Sequence, residues 1–155
     1  MDLQSVFSTE VIDTTERNFR GKDELFRHMA RLFEKSGFVT SGAEYVKALY
    51  ERERMGSTYM GGGMVVPHGK APCVKRAGVG ICHFTPMKYE GEEEELADLA
   101  VMLAIPDRTD QKEYLRLLAK VSCSLLDTEL LDTLRCEKDP QIIADRLSKK
   151  IQELE

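Results

Sequence analysis

The chain has no tryptophan, and only five prolines and 11 glycines among its 155 residues. So few chain breakers exclude a collagenous or linker-rich polymer, and a hydrophobic fraction of 42% excludes general disorder. Long apolar runs are missing as well. Leu99–Pro106 typifies the longest, far short of the roughly 20 apolar residues a membrane span requires, so no direct membrane insertion is expected. Met1–Asp13 lacks a basic start followed by an apolar stretch, so no secretory signal is expected either. There is no surplus of basic residues: 27 acids against 22 lysines and arginines leave a net charge of −5. A duplex nucleic-acid binder uses an excess of cations to displace counterions from phosphates, so no nucleic-acid partner is expected. Cys73, Cys82, Cys123 and Cys136 form no CxxC pair, which removes support for a zinc ribbon or a thioredoxin-type motif. Free, partly buried thiols in a reducing compartment, and hence a cytoplasmic location, are the expectation.

What is present reads as one α/β domain, residues 1–155, long enough to bury a core without disulfides or metal. Alternating apolar positions over Val6–Asp13 predict a first strand. Lys22–Ser36 carries Leu25, Met29, Leu32 and Phe33 at helical spacing and is followed by Gly37, a helix-ending residue. Thr40 or Ser41 can cap a second helix, running to about Arg54 and burying Val46, Leu49 and Tyr50. Val79–Phe84 and Leu99–Ile105 have strand length and composition. Between them, Tyr89–Glu95 is rich in glutamate and predicts a solvated loop. Asp110 caps a helix to about Leu126 with an apolar stripe of Tyr114, Leu115, Leu118, Ala119 and Val121. A short helix over Leu130–Arg135 and a last one opening at Asp139-Pro140, with Ile142, Ile143, Leu147 and Ile151 inward, complete the pattern. The fold expected is a single mixed sheet of four to five strands with helices packed around it.

Chemistry has few places to reside. The three histidines are His28, His68 and His83. His28, between Arg27 and Met29, is expected at the surface of its helix. Cys82-His83 with Cys73 and His68 has no recognised ligand spacing, and strand alternation turns Cys82 and His83 to opposite faces, so no metal is expected. His68 stands apart. It follows the strand-like Met64-Val65-Val66 and Pro67, which restrains the backbone before it, and Gly69 behind it permits close approach by other groups. Near neutral pH an imidazole keeps a nucleophilic lone pair on one nitrogen while a hydrogen bond orients the other. Arg52 and Arg54, near the end of the second helix, offer planar donor forks suited to phosphate oxygens. Ser57, Thr58 and the glycines Gly61 to Gly63 can add hydroxyl and backbone donors of the kind that cradle anions. The glycine run matches neither a P-loop nor GxGxxG. The residues alone therefore reach an anion or phosphate site centred on His68, with plain solvation of the arginines as the alternative.

The stretch Arg52-Glu53-Arg54-Met55-Gly56-Ser57-Thr58-Tyr59-Met60-Gly61-Gly62-Gly63-Met64-Val65-Val66-Pro67-His68-Gly69 closely resembles the active-site signature of a family. These are the enzyme IIA domains of the bacterial phosphoenolpyruvate:sugar phosphotransferase system, mannitol/fructose type, a branch that includes nitrogen-type regulatory proteins. The likeness continues through Leu99–Ile105 with Pro106, Glu113–Val121 and Leu130–Leu147. It implies that His68 accepts a phosphoryl group from the phosphocarrier protein HPr and passes it to an enzyme IIB, which serves a membrane IIC permease for sugar or polyol uptake. Arg52 matches the arginine that stabilises phosphate charge, and Thr58 the threonine ahead of the glycine loop, structural or anion-contacting. Gly61 and Gly63 belong to that loop, whose amides would hold phosphoryl oxygens. No metal or cofactor is implied. Many members carry a second histidine beside the phosphorylated one; the matching position here is Tyr114, which can donate a hydrogen bond but cannot become cationic near neutral pH. The resemblance leaves a transport role and a regulatory role open, and predicts an apolar surround for His68 supplied by Met60, Met64 and neighbours.

Overall fold

In the computed structural model, residues 3–90 and 96–154 are described. The N-terminal segment departs from the expected strand. Leu3–Val6 forms a short helix (α1), Thr9–Val11 a 3-10 turn, and strand β1 starts only at Ile12, running to Arg17. The Ser8 side chain accepts from the Glu10 backbone N–H, which caps the turn. Val6, Phe7 and Val11 are still buried, so two tight turns serve the same apolar positions that alternation assigned to a strand.

Helix α2 (Lys22–Lys35) and α3 (Gly42–Glu53) follow, with Gly37 in the left-handed region (φ 82°) and the Ser41 side chain capping α3 through the Glu44 N–H. Helix α2 corrects one expectation: His28 is 8% exposed. It falls three residues after Leu25 and five before Phe33, on the inner stripe, and its Nε2 lies 2.6 Å from Asp13 Oδ2 on β1. Burial opposes ionisation of Asp13, but bonds from Thr15, His28 and Arg17 outweigh it and hold the carboxyl at about 2.

The middle of the chain forms three short strands, β2 (Tyr59–Gly61), β3 (Met64–Val65) and β4 (His68–Ala71), before the long β5 (Gly78–Met87) and β6 (Ala97–Pro106). The sheet therefore has six strands rather than four or five, because Tyr59–Ala71 bends twice instead of running straight. Its order is β1-β5-β6-β3-β2, with β4 also paired to β6. β1–β5, β3–β6 and β4–β6 are parallel, whereas β5–β6 and β2–β3 are antiparallel. β6 is buried on both faces: Ala100, Met102 and Ala104 meet α2 and α3, while Leu99, Val101, Leu103 and Ile105 meet the C-terminal helices. Continuous apolarity is what a strand covered on both sides requires. Tyr89, assigned to a solvated loop, is buried instead against Phe26; residues 91–95 of that loop lie outside the described ones.

Helices α4 (Gln111–Ser124), α5 (Thr128–Cys136) and α6 (Pro140–Glu153) cover the second face, each capped by an aspartate: Asp110, Asp127 and Asp139. The stripe of α4 is rotated from the one expected. Leu117, Val121 and Ser124 are buried, Tyr114 and Leu118 partly so, and Leu115 is 50% exposed along with Ala119. Residues 114, 117, 118, 121 and 124 share one face at 3.6 residues per turn, which leaves 115 and 119 to solvent. Ile142 is likewise outside, and Ile143, Ala144, Leu147 and Ile151 carry the burial of α6. Cys82 is buried and Cys73 partly so, while Cys123 and Cys136 are exposed; all four are free. No helix among the described residues is long and apolar enough to cross a membrane.

Candidate functional site

β4 starts at His68, whose side chain is only 5% exposed. Its Nδ1 lies 2.9 Å from the Val66 carbonyl oxygen. A carbonyl can only accept, so Nδ1 carries the proton and donates, and the lone pair is left on Nε2. Burial pushes the His68 pKa below its ordinary value, the charge of Arg52 acts in the same direction, and the Val66 bond and Glu53 offset part of the effect. The ring is thus neutral near pH 7, with one nitrogen available as a nucleophile.

Two neighbours bring α3 against this ring. Gly69 packs under the helix so closely that a Cβ there would stand 3.2 Å from both Ala48 Cβ and Tyr45 Cε1. The Tyr45 hydroxyl donates to the Leu103 carbonyl at 2.7 Å, tying α3 to β6 beside β4. Arg52, in the last turn of α3, is thereby held next to His68, and its Nη1 donates to the Gly56 carbonyl at 2.9 Å. A cleft of about 190 Å³ opens there, lined by Arg52, Ser57, Thr58, Tyr59, Met60, Val66, His68, Leu118 and Ser122. Arg54 lines a different cleft, with Arg27, Val46 and Tyr50.

Thr58 borders the cleft, but its hydroxyl turns inward. It donates to Glu53 Oε2 at 2.6 Å and stands 2.9 Å from the Tyr89 hydroxyl. Glu53 Oε1 faces Lys22 Nζ at 3.7 Å. Gly61, Gly62 and Gly63 all have positive φ and form the β2–β3 hairpin. Arg135 donates to the Gly62 carbonyl at 2.6 Å and to Asp98 Oδ1 at 2.9 Å, clamping that hairpin to β6 and α5. Gly61 and Gly63 do not line the cleft beside His68. Tyr114 does approach: its ring centre is 6.1 Å from that of His68. Burial raises its phenol pKa and Arg52 pulls it part of the way back. Met60 lines the cleft, Met64 on β3 packs partly buried against the core on the side of the C-terminal helices, and Met55 is 82% exposed on the turn after α3.

Several members of this constellation escaped the sequence reading. Glu53 lies between Arg52 and Arg54 in the Arg-Glu-Arg motif, where the two guanidiniums are the more evident phosphate ligands. Leu118 and Ser122 follow Tyr114 at four-residue steps, a signal that was available. Tyr89 gave none, since only the tertiary fold brings it to Thr58. Cys73, Cys82, His68 and His83 are not gathered as a donor group among the described residues. Among the described residues, the group whose donor atoms come within 4.8 Å of one another is Asp13, His28 and Cys82, all buried. Asp13 already accepts from Thr15, His28 and Arg17, whose guanidinium at 3.1 Å would repel a cation.

Comparison with known proteins accords with this geometry. The family described as "Phosphoenolpyruvate-dependent sugar phosphotransferase system, EIIA 2" matches residues 5–150. A relative, the PTS system 2-O-alpha-mannosyl-D-glycerate-specific EIIABC component of Escherichia coli K12, is 28% identical over 134 residues, covering 85% of this chain and 20% of that protein. The chain spans about a fifth of the length of the first curated relatives it matches. Among solved structures, nitrogen regulatory protein IIA-Ntr from Neisseria meningitidis superposes with a TM-score of 0.81 at 22% identity, over 92% of this chain and 97% of that one, a likeness of fold. The IIA chain in the complex of enzyme IIAMTL and phosphorylated enzyme IIBMTL from Escherichia coli superposes with a TM-score of 0.74 at 25% identity, over 92% and 96% of the two chains. The match over 5–150, on a fold that sets His68 and Arg52 side by side, makes this chain a member of the EIIA 2 family of the phosphoenolpyruvate-dependent sugar phosphotransferase system.

Proposed function

We propose that the chain is a cytoplasmic phosphoryl carrier in which Nε2 of His68 takes a phosphoryl group from phospho-HPr and delivers it to an enzyme IIB. The observation that carries this reading is the Nδ1 bond to Val66, because it leaves the lone pair on Nε2 beside the Arg52 guanidinium. As the donor's N–P bond breaks, the Nε2–P bond forms in line through a loose, metaphosphate-like state. No proton needs to move: Nδ1 keeps its hydrogen on the Val66 carbonyl, and the phosphorylated ring becomes cationic. Arg52 neutralises charge on the equatorial oxygens. Transfer onward reverses these steps against the nucleophile of IIB. No step calls for a metal.

Both partners are proteins, so the ring must be reached across a docking patch. Met60, on the cleft wall and 44% exposed, and Leu118 supply apolar surface beside His68, and methionine can repack for two partners in turn. The structural neighbour in which IIAMTL is in complex with phosphorylated IIBMTL favours delivery to IIB over a regulatory role in which the phosphorylated state controls other proteins by contact. A membrane IIC permease would then be the indirect beneficiary.

The test is incubation with phosphoenolpyruvate, enzyme I and HPr. The chain should gain one acid-labile, alkali-stable phosphoryl group, which His68→Ala abolishes and His28→Gln or His83→Gln leaves in place. Label retained in the His68 variant would overturn the assignment. Onward transfer to a mannitol-type IIB separates the transport role from the regulatory one.

A further inference from the structure

Lys70 lies two residues beyond His68 on β4, so strand alternation puts both side chains on one face of the sheet. It is the face on which Leu103 and Ile105, their register partners on β6, meet the C-terminal helices. The Lys70 ammonium ends 3.3 Å from Gln111 Oε1 and 5.3 Å from the centre of the Tyr114 ring. The Tyr114 ring centre is in turn 6.1 Å from that of His68. Ammonium, phenol and imidazole thus follow one another between β4 and the first turn of α4. These two Lys70 partners, an amide oxygen and a ring face, are uncharged, while the charged groups sharing the cleft on its α3 side are Glu44, Lys47 and Glu51. On the opposite side of His68 the charged groups are Arg52 and Glu53 of α3.

We propose that Lys70 is a positioning residue for the phosphoryl group: with Gln111 it pins the Tyr114 ring beside His68, and it adds a permanent positive charge to the rim on the α4 side. A phenol offers a phosphoryl dianion one hydrogen bond and no charge. Arg52 supplies charge from α3 only, and a dianion held between two cationic edges is better stabilised than one held against a single edge. Stacking of the ammonium on the ring also orients the phenol, an interaction that grows as the pair is desolvated. The proposal rests on His68 as the phosphorylated residue.

Two variants separate charge from shape. Lys70→Met keeps the length of the stem and removes the ammonium; Lys70→Arg keeps a cation that stacks on the ring. At low ionic strength, Lys70→Met should shift the phosphoryl equilibrium toward phospho-HPr by about three- to tenfold, and Lys70→Arg should restore most of it. Ultraviolet titration, with Tyr114→Phe identifying the Tyr114 signal, should show the phenol ionising at higher pH in Lys70→Met than in the wild type. A wild type that is phosphorylated beside a Lys70→Met with the same equilibrium overturns the proposal and leaves the carrier function standing. Equal losses in both variants, tracking equal losses of thermal stability, reduce Lys70 to a structural residue and overturn it too. A wild type that takes no phosphoryl group overturns the carrier reading and this proposal with it.

Discussion

The Nδ1 of His68 donates to the carbonyl of Val66, two residues earlier, across the rigid link of Pro67. The bond selects the tautomer and thereby the nucleophilic nitrogen, and burial keeps that tautomer neutral. The strand that begins at His68 is anchored by four register pairs to β6, so the ring has a stable floor.

A pH dependence follows. Burial makes His68 hold its proton more weakly in the folded chain than at the ordinary imidazole value of 6.5. Below that value the unfolded chain binds a proton that the folded chain does not, so the contribution of neutral His68 to stability, complete above pH 6.5, is lost as pH falls toward the lowered folded value. Unfolding free energies measured by denaturant from pH 7.5 to 5 should fall less steeply for His68→Gln than for the wild type. That range stops above the window, 3.8 down to about 2, in which Asp13 titrates. Parallel curves for the two proteins would contradict the account.

Arg52 and Arg54 leave the same helix end and reach different clefts. Arg52→Lys should slow phosphoryl transfer by an amount equivalent to about 2–4 kcal/mol, since an ammonium cannot span two oxygens as a guanidinium does. Arg54→Lys should leave the rate nearly unchanged. Rapid-quench transfer from phospho-HPr compares them directly, and equal slowing would mean the pairing of Arg52 with His68 is wrong.

Thr58 spends its hydroxyl on Glu53 and Tyr89 rather than on the cleft. Thr58→Val should therefore cost about 1–3 kcal/mol of stability, the penalty of leaving buried polar partners unpaired. Phosphoryl transfer at saturating HPr, in buffer where the variant remains folded, should change by less than about threefold, roughly 0.6 kcal/mol. A large rate defect in a variant of undiminished stability would instead make Thr58 an anion contact.

Gly63 combines a φ of 83° with a position where a Cβ would stand 2.6 Å from Asp98 Oδ1 and 3.0 Å from Arg135 Nη2. Gly63→Ala should be destabilising by on the order of 1–3 kcal/mol from backbone strain and crowding. Its phosphoryl-transfer rate should stay near that of the wild type, because the hairpin is clamped to β6 rather than aimed at His68. Loss of transfer without loss of stability would restore the glycines to the phosphate site.

Periodicity alone determined much of this protein. The spans of α2 and α3, Gly37 at a helix end, the aspartate caps of α4 and α6 and the long apolar β6 are local matters of propensity, capping and alternation, and each is readable in a window of about a dozen residues. His68 stands out as a candidate for the same reason: its proline, its glycine and its place after an apolar run are neighbours in the chain. Which side of a helix is buried was less legible. The α4 stripe rotated past Leu115, and His28 moved from the surface to the Asp13 carboxylate, because the surfaces that receive those helices come from strands far away in sequence. The separation of Arg52 and Arg54 into different clefts, the inward turn of Thr58 toward Tyr89, the approach of Tyr114 to His68 and that of Lys70 to Tyr114 were decided only by tertiary packing. Hydrogen bonds and ring contacts act over a few ångströms, and residues tens of positions apart come within that range only once the sheet has brought α3, β4 and α4 together.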